Sequence, residues 1–240
     1  MTVTQTAPIE LFFWPTPNGF KITLFLEELD LPYKVHFVNI GKGDQFLPEF
    51  LKIAPNNRMP AIIDPEGPGG KPISIFESGA ILLYLARKFG AFYPADDARA
   101  RVEVEEWLMW QMGGFGPMLG QNHHFNLYAP EKLPYAQKRY IDESRRLYGV
   151  LDRRLDGRDF VCGAYSIADM AMFGWARGWK AQSIDLDTLP NVKRWLDAIA
   201  ARPATARALA VGADTEARVN LADDADGRAV LAAYPEPSRS

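Results

Sequence analysis

Glu10-Leu11-Phe12-Phe13-Trp14-Pro15-Thr16-Pro17-Asn18-Gly19-Phe20-Lys21 is the stretch on which the fold turns. A short apolar and aromatic run that stops at a proline reads as a buried strand. Thr16-Pro17-Asn18-Gly19 has the composition of a tight turn. Beyond it Ile22, Phe25, Leu26 and Leu29 recur at helical spacing, so the chain passes from strand through turn to an amphipathic helix. Tyr33 to Ile40 alternates again, with Tyr33, Val35 and Phe37 on one side. A short polar helix is expected around Phe46 to Lys52. Ala61-Ile62-Ile63 and Ile73-Ser74-Ile75 flank the turn Pro65-Glu66-Gly67-Pro68-Gly69-Gly70, which predicts an antiparallel hairpin. Glu77 to Phe89 closes the unit as a helix. The order βαβ, short helix, ββ, α describes a small four-stranded mixed sheet with helices packed on it.

After Tyr93-Pro94 the pattern is helical throughout. Arg101 to Met112 is rich in aromatics and methionine. Pro134 to Leu155 carries Tyr140, Leu147, Leu151 and Leu155 on one face. Ser166-Ile167-Ala168-Asp169 has the form of a capping box and opens an apolar helix through Met170, Phe173 and Trp175. Val192, Trp195, Leu196 and Ile199 mark a further helix that stops near Arg202-Pro203. The fold class is therefore α/β plus all-α, with expected units at residues 9–90 and 97–210 and a C-terminal tail at 211–240.

Composition narrows the function. The 240 residues carry 27 Lys plus Arg against 30 Asp plus Glu, a net charge of −3 that argues against nucleic acid or an acidic membrane as partner. No run approaches the roughly 18 apolar residues of a membrane span. Met1 to Glu10 lacks the basic start and apolar stretch of a signal peptide, so a cytoplasmic location is expected. The single cysteine, Cys162, forms no internal disulfide, and beside Gly163 it reads as a small packed hydrophobe. His36 stands apart from the adjacent His123 and His124, which point about 100° apart on a helix, so no metal site is expected. Gly113-Gly114-Phe115-Gly116-Pro117 lacks the Lys-Ser/Thr of a phosphate loop. It is expected to bend or interrupt a long helix and open a cleft lined by Trp107, Trp110, Gln111, His124 and Phe125.

Four local motifs sharpen the outline: Thr16-Pro17-Asn18-Gly19 with Lys21, Pro55-Asn56-Asn57-Arg58-Met59-Pro60, Phe76-Glu77-Ser78-Gly79-Ala80-Ile81, and Gly120-Gln121-Asn122-His123-His124-Phe125. Together they resemble the bacterial nu-class glutathione transferases over about residues 9 to 210. The resemblance implies a thioredoxin-like domain followed by a helical bundle in a homodimer. It implies glutathione as co-substrate, in up to two molecules per subunit, and no metal. Met59-Pro60 would be a cis peptide whose Met59 backbone pairs with the cysteinyl part of glutathione. Glu77 and Ser78, at a helix start that favours anions, would hold the γ-glutamyl group. Gln45 and Arg58 would hold the other end of the tripeptide, and Arg139 would reach glutathione across the dimer interface. His124 would meet a second glutathione or the substrate.

Thr16 and Asn18 occupy the turn where thioredoxin-like folds often carry a cysteine pair. A hydroxyl, an amide and a helix start can all stabilise a thiolate, but this chain supplies no sulfur there. The implied reaction is disulfide reduction by two successive glutathione thiols, with weak transferase or peroxidase activity beside it. Two alternatives stay open at this level: a conventional transferase conjugating electrophiles, and a non-enzymatic glutathione-binding regulator.

Overall fold

The structure is a computed structural model that describes residues 5–213 and 225–232. Strand β1 (Ile9–Phe13) leads into helix α1 (Gly19–Glu28), strand β2 (Tyr33–Phe37), the short helix α2 (Pro48–Leu51), strands β3 (Ala61–Asp64) and β4 (Ile73–Phe76), and helix α3 (Ser78–Phe89). The sheet order is β2-β1-β3-β4. β1 runs parallel to β2 and antiparallel to β3, and β3 and β4 form the expected hairpin. Leu11 sits between Val35 and Ile62 in register, and Ile9, Leu11 and Phe13 are all fully buried. Alternation along β1 thus puts one side of the central strand into the core. β2 is an edge strand, and Phe37 at its end is 42% exposed, where alternation had grouped it with the inward Tyr33 and Val35.

The polar helix expected at 46–52 is split. A 3₁₀ turn, Asp44–Phe46, precedes α2, whose first residue is Pro48. Pro48 has no N–H to extend a helix backwards, so the two pieces stay separate.

The helical part begins with α4 (Ala98–Trp110), capped by Asp97, whose carboxylate accepts from the N–H groups of Arg99 and Ala100. The glycine-rich stretch does not break this helix. A π turn at Gln111–Phe115 joins α4 to α5 (Gly116–His123), and a second, His124–Tyr128, ends α5. Pro117 supplies the reason for the first, because a proline cannot donate into a regular ladder and its ring crowds the preceding turn. The 5-residue spacing is visible where the N–H of Gly116 donates to the carbonyl of Gln111.

Helices α6 (Pro134–Arg154), α7 (Ile167–Ala176), α8 (Pro190–Ala200) and α9 (Pro203–Ala210) complete the bundle. The capping box at Ser166 and Asp169 is present at the head of α7. The buried Asp169 carboxylate also accepts from the Val161 N–H and the Trp195 indole, tying α7 to α8. α8 stops just before Arg202-Pro203, as expected, and Pro203 begins the next helix. α9 lies on α1: Thr23 Oγ1 donates to the Ala208 carbonyl, and Arg202 pairs with Glu28 through two nitrogens. Of the expected tail, helix α10 (Ala225–Ala232) brings Val230 against Gly43; residues 214–224 and 233–240 lie outside the described residues.

One continuous core joins the two parts, running from Leu11 and Phe25 through Leu82 and Leu108 to Met172 and Trp195. A smaller cluster of Trp14, Val38, Phe50, Ala54, Met59 and Ala61 packs on the other side of the sheet, under the Met59 loop.

Candidate active site

The turn after β1 is built so that one side chain does the capping and the next is left for other work. Thr16 Oγ1 accepts from the Gly19 N–H at 3.2 Å, and the Thr16 carbonyl accepts from the Phe20 N–H at 3.1 Å. Thr16 therefore starts α1. Its hydroxyl proton points to the thioether of Met59, 3.4 Å away, a weak acceptor that a stronger one would displace.

Asn18 is fixed from the other domain. The indole Nε1 of Trp175, on α7, donates to Asn18 Oδ1 at 2.9 Å. An indole N–H can only donate, so it selects the oxygen end of the amide and leaves the two Nδ2 protons for the cavities that Asn18 lines. The approach needs two glycines. A side chain at Gly174 would overlap the Pro17 carbonyl, and a Cβ at Gly120 would sit 3.2 Å from the Trp175 ring. Backbone-to-backbone contact between α7 and the turn is what brings Trp175 within reach.

Met59-Pro60 is a cis peptide, as the motif implied. Neither the N–H nor the C=O of Met59 has a hydrogen-bond partner among the described residues. Across the cavity Glu77 adopts φ 70°, a conformation uncommon for a non-glycine residue. Its side chain does not cap α3; it accepts from Asn56 Nδ2 at 3.4 Å. Ser78 is buried at the first position of α3, and it too points away from the helix start. No side chain caps the first turn of α3, and Glu77 and Ser78 at its head line the same cavity.

The sequence reading missed Lys21. It is 1% exposed, and its Nζ lies 3.2 Å from Ser78 Oγ, 3.0 Å from Gln111 Oε1 and 3.5 Å from Met112 Sδ. Burial lowers its pKa to about 7, against a smaller opposing pull from Glu77. The fully buried Gln111 spends its oxygen on Lys21, and its Nε2 has no partner among the described residues.

Two cavities meet at Asn18, Arg58, Met59, Gly120 and Trp175. The first, about 420 Å³, is bounded by Lys21, Glu77, Ser78 and Gln111. The second, about 280 Å³, is bounded by Thr16, Gln45, Asn57, His123 and Tyr128. In the second, Gln45 Oε1, Asn57 Oδ1 and His123 Nε2 are buried without partners among the described residues. Buried polar atoms are ordinarily paired, so three unpaired ones beside one cavity set it apart chemically. Gln45 is 3% exposed, and its Nε2 donates to the Ile40 carbonyl.

The expected second-substrate cleft is only partly assembled. Gln111 lines the first cavity, whereas Trp107, His124 and Phe125 line neither. Trp107 packs on Trp110 under the Arg154 guanidinium. His124 packs on Phe125, which stacks on Tyr140. His123, its neighbour, lines the second cavity. Burial holds its imidazole below its ordinary pKa, in the neutral form near pH 7. Arg139 is exposed on α6 in a groove with Tyr135, Asp142 and Arg146, outside both cavities of its own chain.

Cys162 lies outside both cavities as well, its sulfur 3.8 Å from the Glu103 carbonyl. Burial, then Asp169 and Glu103, push its thiol up to about 12. Among the described residues no group of three or more His, Cys, Asp or Glu could hold a metal ion, and no helix is long and apolar enough to cross a membrane.

A thioredoxin-like domain that offers hydroxyl and amide donors where a cysteine pair could stand, backed by an all-helical domain that fixes those donors, defines a class of two-domain protein that works on a thiol supplied from outside. The chain matches the family model "Glutathione S-transferase, N-terminal domain" over residues 7–87 and "Glutathione S-transferase, C-terminal domain" over residues 116–203, and it belongs to the glutathione S-transferase family. It is 55% identical over 203 residues to the disulfide-bond oxidoreductase YfcG of Escherichia coli (strain K12), covering 84% of this chain and 94% of that protein. A Burkholderia graminis glutathione transferase with two glutathione molecules bound per subunit is 46% identical with a TM-score of 0.81, covering 85% of this chain and 88% of that one. A Pseudomonas putida glutathione transferase with one glutathione disulfide bound per subunit is 43% identical, also with a TM-score of 0.81, covering 84% and 90%.

Proposed function

We propose that this chain is a nu-class enzyme that reduces disulfides with glutathione as co-substrate, by thiol–disulfide exchange between bound glutathione thiols and without a protein cysteine. The observation that supports the reading is the Asn18 amide, turned by Trp175 so that its N–H protons face the junction of two cavities. A sulfur at that junction meets donors from Asn18 and, once Met59 gives way, from Thr16. Such donors stabilise a thiolate over a thiol. In the first step this thiolate attacks one sulfur of the disulfide. The S–S bond breaks, and the leaving thiolate takes up a proton. The thiolate of a second glutathione then attacks the glutathione sulfur of the mixed disulfide, releasing the second reduced thiol and glutathione disulfide.

Glu77 and Ser78 take the γ-glutamyl end of glutathione, Met59 and Pro60 its cysteinyl backbone, and Gln45 and Arg58 its glycyl end. The glutathione disulfide held by the P. putida protein and the two glutathiones held by the B. graminis protein support room for both thiols in one subunit. Residues 9–90 form the glutathione-binding unit and 97–210 the helical unit of a cytoplasmic homodimer, in which Arg139, outside the cavities of its own chain, acts on the partner's site.

The test is turnover of a small disulfide with glutathione, coupled to glutathione reductase, beside chloronitrobenzene conjugation on the same preparation. Strong disulfide turnover with feeble conjugation is expected. The reverse would make the chain a conventional conjugating transferase, and binding without either reaction would make it a regulator.

A further inference from the structure

Each N–H of the Lys21 ammonium has a partner, and one of those partners is a sulfur. The ammonium donates to Ser78 Oγ at 3.2 Å and to Gln111 Oε1 at 3.0 Å, and its third N–H goes to the Met112 thioether at 3.5 Å. Ser78, already accepting from Lys21, has one proton to give, and it too donates to Met112 Sδ, 3.7 Å away. Gly79 makes room for the methionine, since a Cβ there would stand 3.0 Å from Met112 Cγ. Met112 is half-buried and lines the first cavity, so a small oxidant entering that cavity meets this thioether. Met59, 8% exposed, is the other thioether lining it, and it holds a single donor, Thr16. A thioether is a weak acceptor for two donors, one of them cationic. The same sulfur carrying one oxygen would offer a strong acceptor to both.

Resting on the reading above that glutathione binds in the first cavity, we propose that Met112 is a site of reversible oxidation: hydroperoxides convert it to the sulfoxide, which Lys21 and Ser78 hold so that the cavity is closed to glutathione. In the step a sulfur lone pair attacks the distal oxygen of the peroxide. The S–O bond forms as the O–O bond breaks, so sulfur gives up two electrons and the peroxide takes them. The departing hydroxide or alkoxide takes a proton from Lys21, and Lys21 recovers one from the S–OH group just formed, leaving the sulfoxide and water or an alcohol. Burial brings Lys21 to about 7, which makes its proton transferable at neutral pH. Contacts of 3.5 and 3.7 Å to a poor acceptor do not keep these donors from a peroxide oxygen, which accepts better. A methionine sulfoxide reductase, drawing its electrons from thiols, restores the thioether.

The test treats the wild type with hydrogen peroxide and follows the gain of one oxygen at each methionine by peptide mass spectrometry. Met118 is the reference, half-buried like Met112 but packed on the apolar core. Met112 is expected to oxidise about tenfold faster than Met118, the lower end of what a placed proton donor gives. In Lys21→Leu that advantage is expected to shrink to within about threefold. Ser78→Ala, which removes the other donor without burying new surface, is expected to reduce it in the same direction. The second readout is calorimetric affinity for S-methylglutathione, which carries no thiol to consume the peroxide. Oxidation is expected to weaken wild-type binding by about tenfold or more, and a methionine sulfoxide reductase to restore it. Met112→Leu, which keeps the volume and removes the sulfur, is expected to stay within about twofold through the same treatment. Met112 oxidising no faster than Met118, or an equal loss of affinity in Met112→Leu, overturns the proposal. A wild type whose Met112 oxidises in this donor-dependent way but which binds no S-methylglutathione before treatment overturns the reading of the ligand and leaves the oxidation site standing.

Discussion

Replacing Asn18 with Asp changes the charge beside the reacting sulfur and almost nothing else. Aspartate keeps the shape of the side chain and an oxygen to accept from Trp175 Nε1, so the 2.9 Å bond that orients it survives. What is lost is the pair of Nδ2 protons facing the cavities, and what is gained is a negative charge in their place. For a thiolate in contact with that carboxylate, roughly 4 Å away, Coulomb's law gives about 4 kcal/mol at an effective dielectric of 20 and about 1 kcal/mol in water. Asn18 is half-buried, between those limits. The bound thiol should therefore titrate about one to three units higher than in the wild type, and disulfide turnover at neutral pH should fall at least tenfold. The assay is a pH titration of the ultraviolet thiolate band of bound glutathione, run beside the coupled turnover measurement. Trp175→Phe should shift both readouts the same way by less, about 0.5–1.5 kcal/mol, since it removes only the bond that aims the amide. An Asn18→Asp protein whose bound thiol titrates where the wild type's does, with turnover within about twofold, would refute the assignment of Asn18 as the thiolate donor.

Three further outcomes follow from the geometry. Gly174→Ala forces α7 away from the Pro17 carbonyl and should cost about 1–3 kcal/mol, read as a lower urea midpoint, together with lower turnover because Trp175 withdraws from Asn18. Cys162→Ala should keep disulfide turnover within about twofold, and wild-type Cys162, with its thiol at about 12, should react slowly with iodoacetamide near pH 7. For Lys21 the folded chain gives up its proton near pH 7 while the unfolded chain keeps one to the ordinary lysine value of 10.5. The unfolded state then binds more protons between those values, so stability of the unliganded protein should rise with pH, by up to about 1.4 kcal/mol per unit. Urea unfolding of wild type and Lys21→Met from about pH 7 to 9 isolates the contribution, and identical slopes would discount it.

Much of the architecture was legible because it depends on local signals. The buried alternation of β1, the turn between β3 and β4, and the capping box at Ser166 and Asp169 each declare themselves within a few residues. The cis bond at Met59-Pro60 was legible only as a resemblance, since a proline in isolation says little. What escaped was set by distance or by irregular helix geometry. Nothing near Lys21 in the sequence marks it as buried; its ammonium is held by Ser78, Gln111 and Met112, 57, 90 and 91 residues away. The bond between Trp175 and Asn18 spans 157 residues and rests on Gly174, whose spacing signals nothing by itself. Which of the adjacent His123 and His124 lines a cavity is not legible either, because Pro117 and the π turn at Gln111–Phe115 take the chain off the 3.6-residue period. Pro203 illustrates the ambiguity of a stop signal, since a residue that ends one helix is well suited to begin the next.

The Trp175–Asn18 bond also bears on how such proteins can be recombined. The proposed donor to the sulfur, Asn18, sits in one half of the chain and Trp175, which orients its amide, in the other, so the halves are not interchangeable cassettes. A hybrid joining this sheet domain to a helical half from a transferase lacking the tryptophan would retain every ligand contact local to the sheet domain, but its amide would be free to turn either end toward the sulfur. Accumulated changes on one side of that seam are therefore answerable to the other, and the pair forms a point of joint inheritance rather than two separately exchangeable parts.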